Sequence, residues 1–301
     1  LHGEDFEIEK KERPLTLCFF VSDLHGSTDR YHKLFQATTK ERPDAVFVGG
    51  DILPSAGLTM TSLNSRYLDF VDEYLIKKTL QLRKELGDDF PRIFLILGND
   101  DGRSAEPSII DAAAKGLWEY VHNKKALFKQ YPVFGYSYIP PSPFLLKDWE
   151  KYDISRYVDP GSVSPKEGMR SFPVPDHSLK YSTIKKDLDR LTRNENLKKA
   201  IFLFHAPPYK TKLDHAALEG KMIDHVPLDV HVGSIAIQRF IKTRQPLLTL
   251  HGHVHESSRL SFSWKDRIGK TYIFTAAHDG PELALIRFEP ENLEGAEREL
   301  I

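Results

Sequence analysis

Seven side chains in this sequence have the types and spacing to bind metal: Asp23 and His25 in Asp-Leu-His, Asp51 after Gly49-Gly50, Asn99 after Gly98, His205, and His253 and His255 in Gly-His-Val-His. Two carboxylates, one amide oxygen and four imidazoles make a mixed oxygen and nitrogen set without thiolate. Such a set suits Mn, Fe, Zn, Co or Ni better than Ca or Mg, and Mn is the expected occupant. Seven ligands exceed what one ion takes from a protein, so the count points to two ions sharing a carboxylate. Read singly, each piece has an ordinary explanation. An Asp at a strand end caps a turn, Gly-Asn forms a tight turn, and a lone histidine on an apolar strand satisfies itself in the core. Their joint occurrence singles them out, because each follows a short apolar run. His251 competes within its cluster, since i, i+2 alternation aligns it with His253, but Gly252 interrupts that alternation.

Elements of two kinds must position these residues. Leu15 to Val21, Ala45 to Val48, Ile93 to Leu97, Ile201 to Phe204, Leu247 to Leu250, Tyr272 to Thr275 and Leu283 to Phe288 read as strands. Asp29 to Lys40, Arg66 to Leu86, Ser182 to Arg193 and Ser234 to Lys242 read as helices, the last capped by Gly233 or Ser234. The alternation predicts an α/β fold with parallel strands joined by crossover helices. In such sheets a site forms beyond the carboxyl ends of the strands, and five runs end in a ligand. From Tyr131 to Pro175 the chain is dense in Pro and aromatic residues and cannot form a long helix. The expected organisation is one domain over 14–290 with a Pro-rich elaboration around 131–175, and peripheral tails at 1–13 and 291–301.

In order, the pieces D-x-H, G-D, G-N-x-D, H and G-H-x-H resemble the signature of the calcineurin-like metallophosphoesterases, over Asp23 to His255. The segments His205-Ala-Pro-Pro-Tyr, His231-Val-Gly-Ser and His251-Gly-His-Val-His-Glu further resemble the Icc-related branch of that family. The resemblance implies a four-layer α/β/β/α sandwich with the metals at the sheet edge. It implies one metal on Asp23, His25, Asp51 and His255, a second on Asp51, Asn99, His205 and His253, and a bridging Asp51. Asp51, Asn99, Asp100 and His205 would then form the catalytic group. The implied reaction is hydrolysis of a phosphoester (a diester or activated monoester) or a phosphoanhydride. Its nucleophile is a hydroxide formed from water bridging the metal pair, which also clamps the attacking and leaving oxygens.

One position departs from the family pattern. Many members carry His directly after the motif Asn, and this chain has Asp100. A carboxylate beside two dications is held charged and donates protons poorly. The expected consequence is a preference for leaving groups that need little protonation. His231 and His278 are candidate substrate contacts that could lend a proton, and Arg103 could neutralise a phosphate oxygen. Asp101 is expected to orient a neighbouring group. The alternative reading is a catalytically weak scaffold of the same fold that binds a protein partner. Retention of all seven ligands weighs against it.

Composition narrows the partners. Across 301 residues, 42 basic and 43 acidic side chains nearly cancel, which leaves no global field for a polyanion and argues against a nucleic-acid substrate. A small phosphorylated or nucleotide-type substrate is expected. No apolar run reaches the length of a membrane span. The single Cys18 excludes an intrachain disulfide and suggests a buried thiol in a reducing, cytoplasmic compartment. Residues 1–13 are charged and lack a signal-peptide pattern. A homodimer formed by sheet-edge association is compatible with these features.

Overall fold

The computed structural model describes residues 15–55 and 69–301. One six-stranded sheet contains β1 (Cys18–Val21), β2 (Ala45–Gly49), β3 (Arg92–Ile96) and β4 (Glu119–Tyr120), with β13 (Ala284–Glu289) and β14 (Asn292–Leu300), in the order β14-β13-β1-β2-β3-β4. The other contains β5 (Lys124–Phe128), β6 (Tyr131–Tyr136), β7 (Ile201–Phe204), β10 (Leu248–His251), β11 (Lys265–Ile268) and β12 (Thr271–Thr275), in the order β11-β12-β10-β7-β6-β5. A short hairpin, β8 (Met222–Ile223) and β9 (Val226–Pro227), stands apart. Within each sheet the central strands are parallel, β1 to β4 in the first and β6, β7, β10 and β12 in the second.

Alternation along each strand divides the core into layers. In β1, Phe19 and Val21 join one apolar cluster, while Cys18 and Phe20 join another. The second cluster lies between the sheets. There Phe47 of β2 stacks on Phe94 at 5.2 Å and meets Phe128 of the opposite sheet at 6.3 Å. Outside the first sheet, the helix Thr28–Glu41 buries Tyr31, Leu34 and Ala37 against Phe19 and Val21. Outside the second, the helix Ile235–Arg244 packs Phe240 on Phe202 at 5.0 Å. Strands covered on both faces need apolar residues at every position, which explains their unbroken hydrophobic runs. The result is the four-layer α/β/β/α sandwich.

Several sequence expectations require correction. Residues 292–300 are not a peripheral tail but the edge strand β14, with Leu293 and Ala296 buried. Its intervening charged residues blunt an exposed edge and conceal the strand from an apolar-run reading. The Pro-rich elaboration does not begin at 131, because Tyr131–Tyr136 is the inner strand β6. Pro132 is tolerated near its start, and parallel pairing with β7 begins only at Val133. The helix Glu106–Ala114 is an addition to the elements expected from periodicity. Of the helix expected over Arg66 to Leu86, the described part runs as a π segment, Phe70–Ile76, into the α-helix Lys77–Leu86. Residues 66–68 and the tail 1–13 lie outside the described residues.

The excursion between β6 and β7 is held by buried groups. Trp149 and the ion pair of Lys147 with Glu150 (2.6 Å) are fully enclosed, and Glu150 also accepts from the Ser142 hydroxyl and amide. His122 is half-buried and packs against Trp149 and Tyr138, with ring centroids at 4.9 and 5.2 Å. Cys18 is buried in β1. Among the described residues no helix is long and apolar enough to cross a membrane.

Candidate metal centre

The carboxyl ends of β1, β2, β3, β7 and β10 meet at one edge of the sandwich, where the chain must turn sharply five times. Four ligand positions are in the left-handed region, at φ 56° for Asp23, 47° for His25, 51° for Asp51 and 76° for His253. Residues other than Gly pay strain for this conformation, and such strain is retained where the surroundings fix it. Backbone bonds between neighbouring turns do the fixing. The Asp23 amide donates to the Gly50 carbonyl at 3.0 Å, and the His25 amide donates to the Asp51 carbonyl at 2.7 Å. Two glycines make room. A Cβ on Gly98 would lie 2.3 Å from Asp51 Oδ1, and one on Gly50 would lie 2.7 Å from His205 Nδ1.

One group of potential ligands is already converged. Asp23, His25, Asp51 and His255 each present an atom such that all lie within 4.8 Å of one another. The Nε2 atoms of His25 and His255 are 3.2 Å apart, and His255 Nε2 is 3.4 Å from Asp23 Oδ1. Asp51 reaches two sides. Its Oδ1 accepts the Asp100 amide at 2.8 Å, while its Oδ2 lies 3.3 Å from His205 Nε2 and 4.0 Å from His25 Nε2. On the far side of Asp51, His205 Nε2 is 2.9 Å from Asn99 Oδ1, and the His205 and His253 rings are 5.3 Å apart. The seven side chains singled out by the sequence therefore occupy one edge, with Asp51 between two subsets.

Supporting bonds orient the ligands. The carbonyl of Gly49 accepts from His205 Nδ1 at 2.8 Å, which leaves Nε2 unprotonated toward Asn99 and Asp51 in the neutral ring. Asp101 is fully buried and accepts amides from Gly98 (2.8 Å), Leu53 (2.8 Å) and Ile52 (3.2 Å), so it clamps the turn after β3 to the turn after β2. The His253 amide donates to Asp23 Oδ1 at 3.0 Å. His251, by contrast, spends both ring nitrogens inside the second sheet. It donates to the Ala206 carbonyl (2.8 Å) and accepts from the Thr249 hydroxyl (2.7 Å), and burial pushes its pKa down to about 3.

The donor set fits divalent cations. Burial penalises charge on Asp23, yet the hydrogen bond and charge of His255 hold its carboxyl far below the usual range; Asp51 is likewise lowered, against burial, by His205. Burial opposes charge on His205 and His255 too. Asp51 nevertheless pushes His205 up to about 10, and Asp23 pushes His255 up to about 9. Ionised carboxylates that draw protons onto imidazoles mark a place where positive charge is wanted, and cations binding there displace those protons.

A family model for calcineurin-like phosphoesterases matches residues 18–257, the span holding every one of these ligands. The chain belongs to the calcineurin-like phosphoesterase family. Among solved structures this chain resembles the protein TT1561 of Thermus thermophilus at 16% identity and a TM-score of 0.55, covering 95% of this chain and 99% of that one. A structure described as a novel archaeal phosphodiesterase aligns over the same shares at 9% identity and a TM-score of 0.43. The first likeness shows the fold alone, and the second is too distant to carry an argument. No curated protein sequence matches the chain significantly.

The remaining candidate residues are placed differently. Asp100 Oδ2 lies 3.5 Å from His25 Nδ1, which also meets Ser55 Oγ at 3.0 Å. Burial and the charge of Asp51 push the Asp100 carboxyl up when protein groups act alone, whereas dications would act in the opposite direction. His231 is half-buried, with Nδ1 held by the buried Asp214 at 2.9 Å. His278 Nε2 is 2.9 Å from Glu282 Oε2, in a loop that Arg30 ties to Asp23. The Arg30 guanidinium donates to the carbonyls of Asp23 (2.6 Å) and Gly280 (2.5 Å). Arg103 is committed elsewhere. It pairs with Glu106 at 2.9 Å, donates to Tyr138 OH at 3.2 Å and lies over Trp149 at 5.2 Å, lining a separate cleft. Arg30, Ser55 and the Gly49 carbonyl escape sequence reading, because an arginine within a helix, a loop serine and a carbonyl carry no local mark of these contacts.

Proposed function

We propose that this family member is a metal-dependent phosphohydrolase with two divalent transition-metal ions, Mn foremost, which cleaves phosphodiesters, activated phosphomonoesters or phosphoanhydrides. The observation carrying this reading is the position of Asp51, with one oxygen pinned by the Asp100 amide and the other set between His25 and His205. Asp23, His25, Asp51 and His255 would hold one ion, and Asp51, Asn99, His205 and His253 the other. When bound, the ions supply Lewis acidity toward phosphoryl oxygens and a nucleophilic water at neutral pH.

The chain's own residues supply position. Asp101 fixes two of the ligand-bearing turns through three amides, and the Gly49 carbonyl fixes the ring of His205. Asp100, beside His25, is poorly suited to donate a proton once the ions are in place. His231, oriented by Asp214, and His278, oriented by Glu282, remain proposed substrate contacts. Leaving groups that depart as stable anions should therefore be favoured, aryl diesters over alkyl monoesters. The protein is proposed to act in the cytoplasm on a small phosphorylated or nucleotide-type substrate.

The test is hydrolysis of bis-p-nitrophenyl phosphate and p-nitrophenyl phosphate by chelator-stripped protein, before and after adding Mn²⁺, with Asp51→Asn alongside. Activity restored by Mn²⁺ and absent from Asp51→Asn supports the proposal. Two bound ions with no turnover of either ester would point instead to the scaffold reading.

A further inference from the structure

One cleft among the described residues lies away from the metal edge. It has a volume of about 600 Å³, lies between the excursion after β6 and the helices Asp176–Tyr181 and Ile184–Leu191, and is lined by none of the seven ligands. Five cations face it, Arg103, Lys151, Arg170, Lys186 and Arg190, against two carboxylates, Glu150 and Asp187. In a chain whose charges nearly cancel, this is a local concentration of positive charge.

The two carboxylates are already engaged. Glu150 is buried and paired with Lys147 beneath the cleft, at 2.6 Å. Asp187 is buried and accepts from Tyr136 OH (2.8 Å) and Lys151 (2.6 Å). Arg103 and Lys151 are paired, with Glu106 and Asp187, and the other three cations keep donor capacity. Arg170 donates to the carbonyls of Lys147 and Pro165 and makes no ion pair among the described residues. Among those residues the Lys186 ammonium donates only to the Tyr181 carbonyl, at 3.0 Å, and Arg190 is 72% exposed at 3.7 Å from Asp187. Guanidinium groups with unused donors bind phosphate oxygens well, in pairs of parallel bonds.

The walls add a second chemistry. Phe172 and Tyr181 line the cleft with about half of each side chain exposed, 45% and 47%, in a protein that buries most of its aromatic residues. Tyr181 already meets the His177 ring at 4.8 Å and the Lys180 ammonium at 5.3 Å, and the exposed parts of both rings, beside cations, offer a surface for a flat ring with the charged groups at its edge.

We propose that this cleft is a second binding site, distinct from the metal edge, for a phosphate ester carrying a planar ring, such as a nucleotide. Lys186, Arg190 and Arg170 hold the phosphate, and Phe172 and Tyr181 pack on the ring. The cleft has a physical link to the metal edge. Arg103 lies over Trp149, whose indole donates at 2.8 Å to the carbonyl of Asp101, the residue that clamps the metal-bearing turns. Occupancy of the cleft can thus reach the metal-bearing turns through two side chains, Arg103 and Trp149.

The experiment is calorimetric titration of adenosine 5′-monophosphate into the full chain with Mn²⁺ present, in the Asp51→Asn background to prevent turnover. Inorganic phosphate and adenosine serve as separate probes. Lys186 and Arg190 are both exposed, so Lys186→Ala/Arg190→Ala should keep the fold, which an unchanged melting temperature verifies. Saturable binding of the nucleotide is expected, weakened at least about tenfold by the double substitution. Adenosine and phosphate alone should each bind more weakly than the two joined. No saturable binding, or binding untouched by the double substitution, overturns the proposal. Phosphate binding as tightly as the nucleotide rejects the role given to the rings. Because the readout is binding in a variant without turnover, failure here is separable from failure of the phosphohydrolase reading.

Discussion

The metal edge and the basic cleft collect opposite chemistries by different means. At the edge, Asp23, Asp51 and His205 are almost completely buried, and acceptor atoms converge because five strands end together. In the cleft, donor groups converge on loops and two short helices, and most remain half-exposed. A sheet edge fixes atoms through its backbone, as the amides on Asp51 and Asp101 demonstrate. The excursion has only isolated bridges, such as Ile139 with Glu150 and Leu146 with Met169, and buried polar groups add to them, chiefly Lys147 with Glu150 and the Trp149 indole. Acceptors held rigidly suit cations with strict geometry, and flexible donors suit a larger anion.

The largest expected effect isolates the edge. Asp51→Asn should lower turnover about 10³-fold or more, as the loss of a central electrostatic group does, while nucleotide affinity in the cleft stays within about twofold. A parallel loss at both places would dissolve the distinction between them. Next, Lys147→Ala should cost about 3 kcal/mol in denaturant unfolding, because it strands the enclosed Glu150. A cost near zero would mean that the pair does not organise the excursion.

The same pair gives a pH test. Burial pushes the Glu150 carboxyl up from 4.5 to about 7, against the pull of Lys147. A raised carboxyl pKa favours the protonated folded state, so this contribution is complete below pH 4.5 and lost as pH rises through about 7. Glu150→Gln should flatten the decline of stability over that window, and an unaltered slope would contradict the assignment. The smallest effect concerns the joint between excursion and sandwich. Ser234 caps the helix Ile235–Arg244 and donates to Asp153 of the excursion at 2.6 Å. Ser234→Ala should cost about 1 kcal/mol by thermal unfolding and leave metal content unchanged.

What could be read from the sequence follows the same division. Strands covered on both faces announce themselves as apolar runs, and a ligand directly after such a run has its direction set by the strand. That is why Asp23, Asp51, Asn99 and His205 could be placed at one edge from order alone, and why the sandwich could be inferred from their resemblance to a family. His251 shows the limit, since only the structure places its two nitrogens on Ala206 and Thr249. Arg103 shows another. Sitting three residues after Asp100 suggested the metal edge, but a 3-10 turn, Arg103–Ala105, carries it to Glu106 and the cleft. The cleft itself joins residues from position 103 to position 190 through contacts without periodicity, so no local pattern marks it. Strand β14 was hidden because an exposed edge strand is charged by design.

The account rests most on Asp51 serving two ions rather than one. Counting Mn²⁺ bound per chain, by equilibrium dialysis with elemental analysis, tests this directly on wild type and His205→Ala. Two ions on the wild type and one on His205→Ala are predicted. A single ion on both would restrict the centre to Asp23, His25, Asp51 and His255 and contradict the dinuclear proposal.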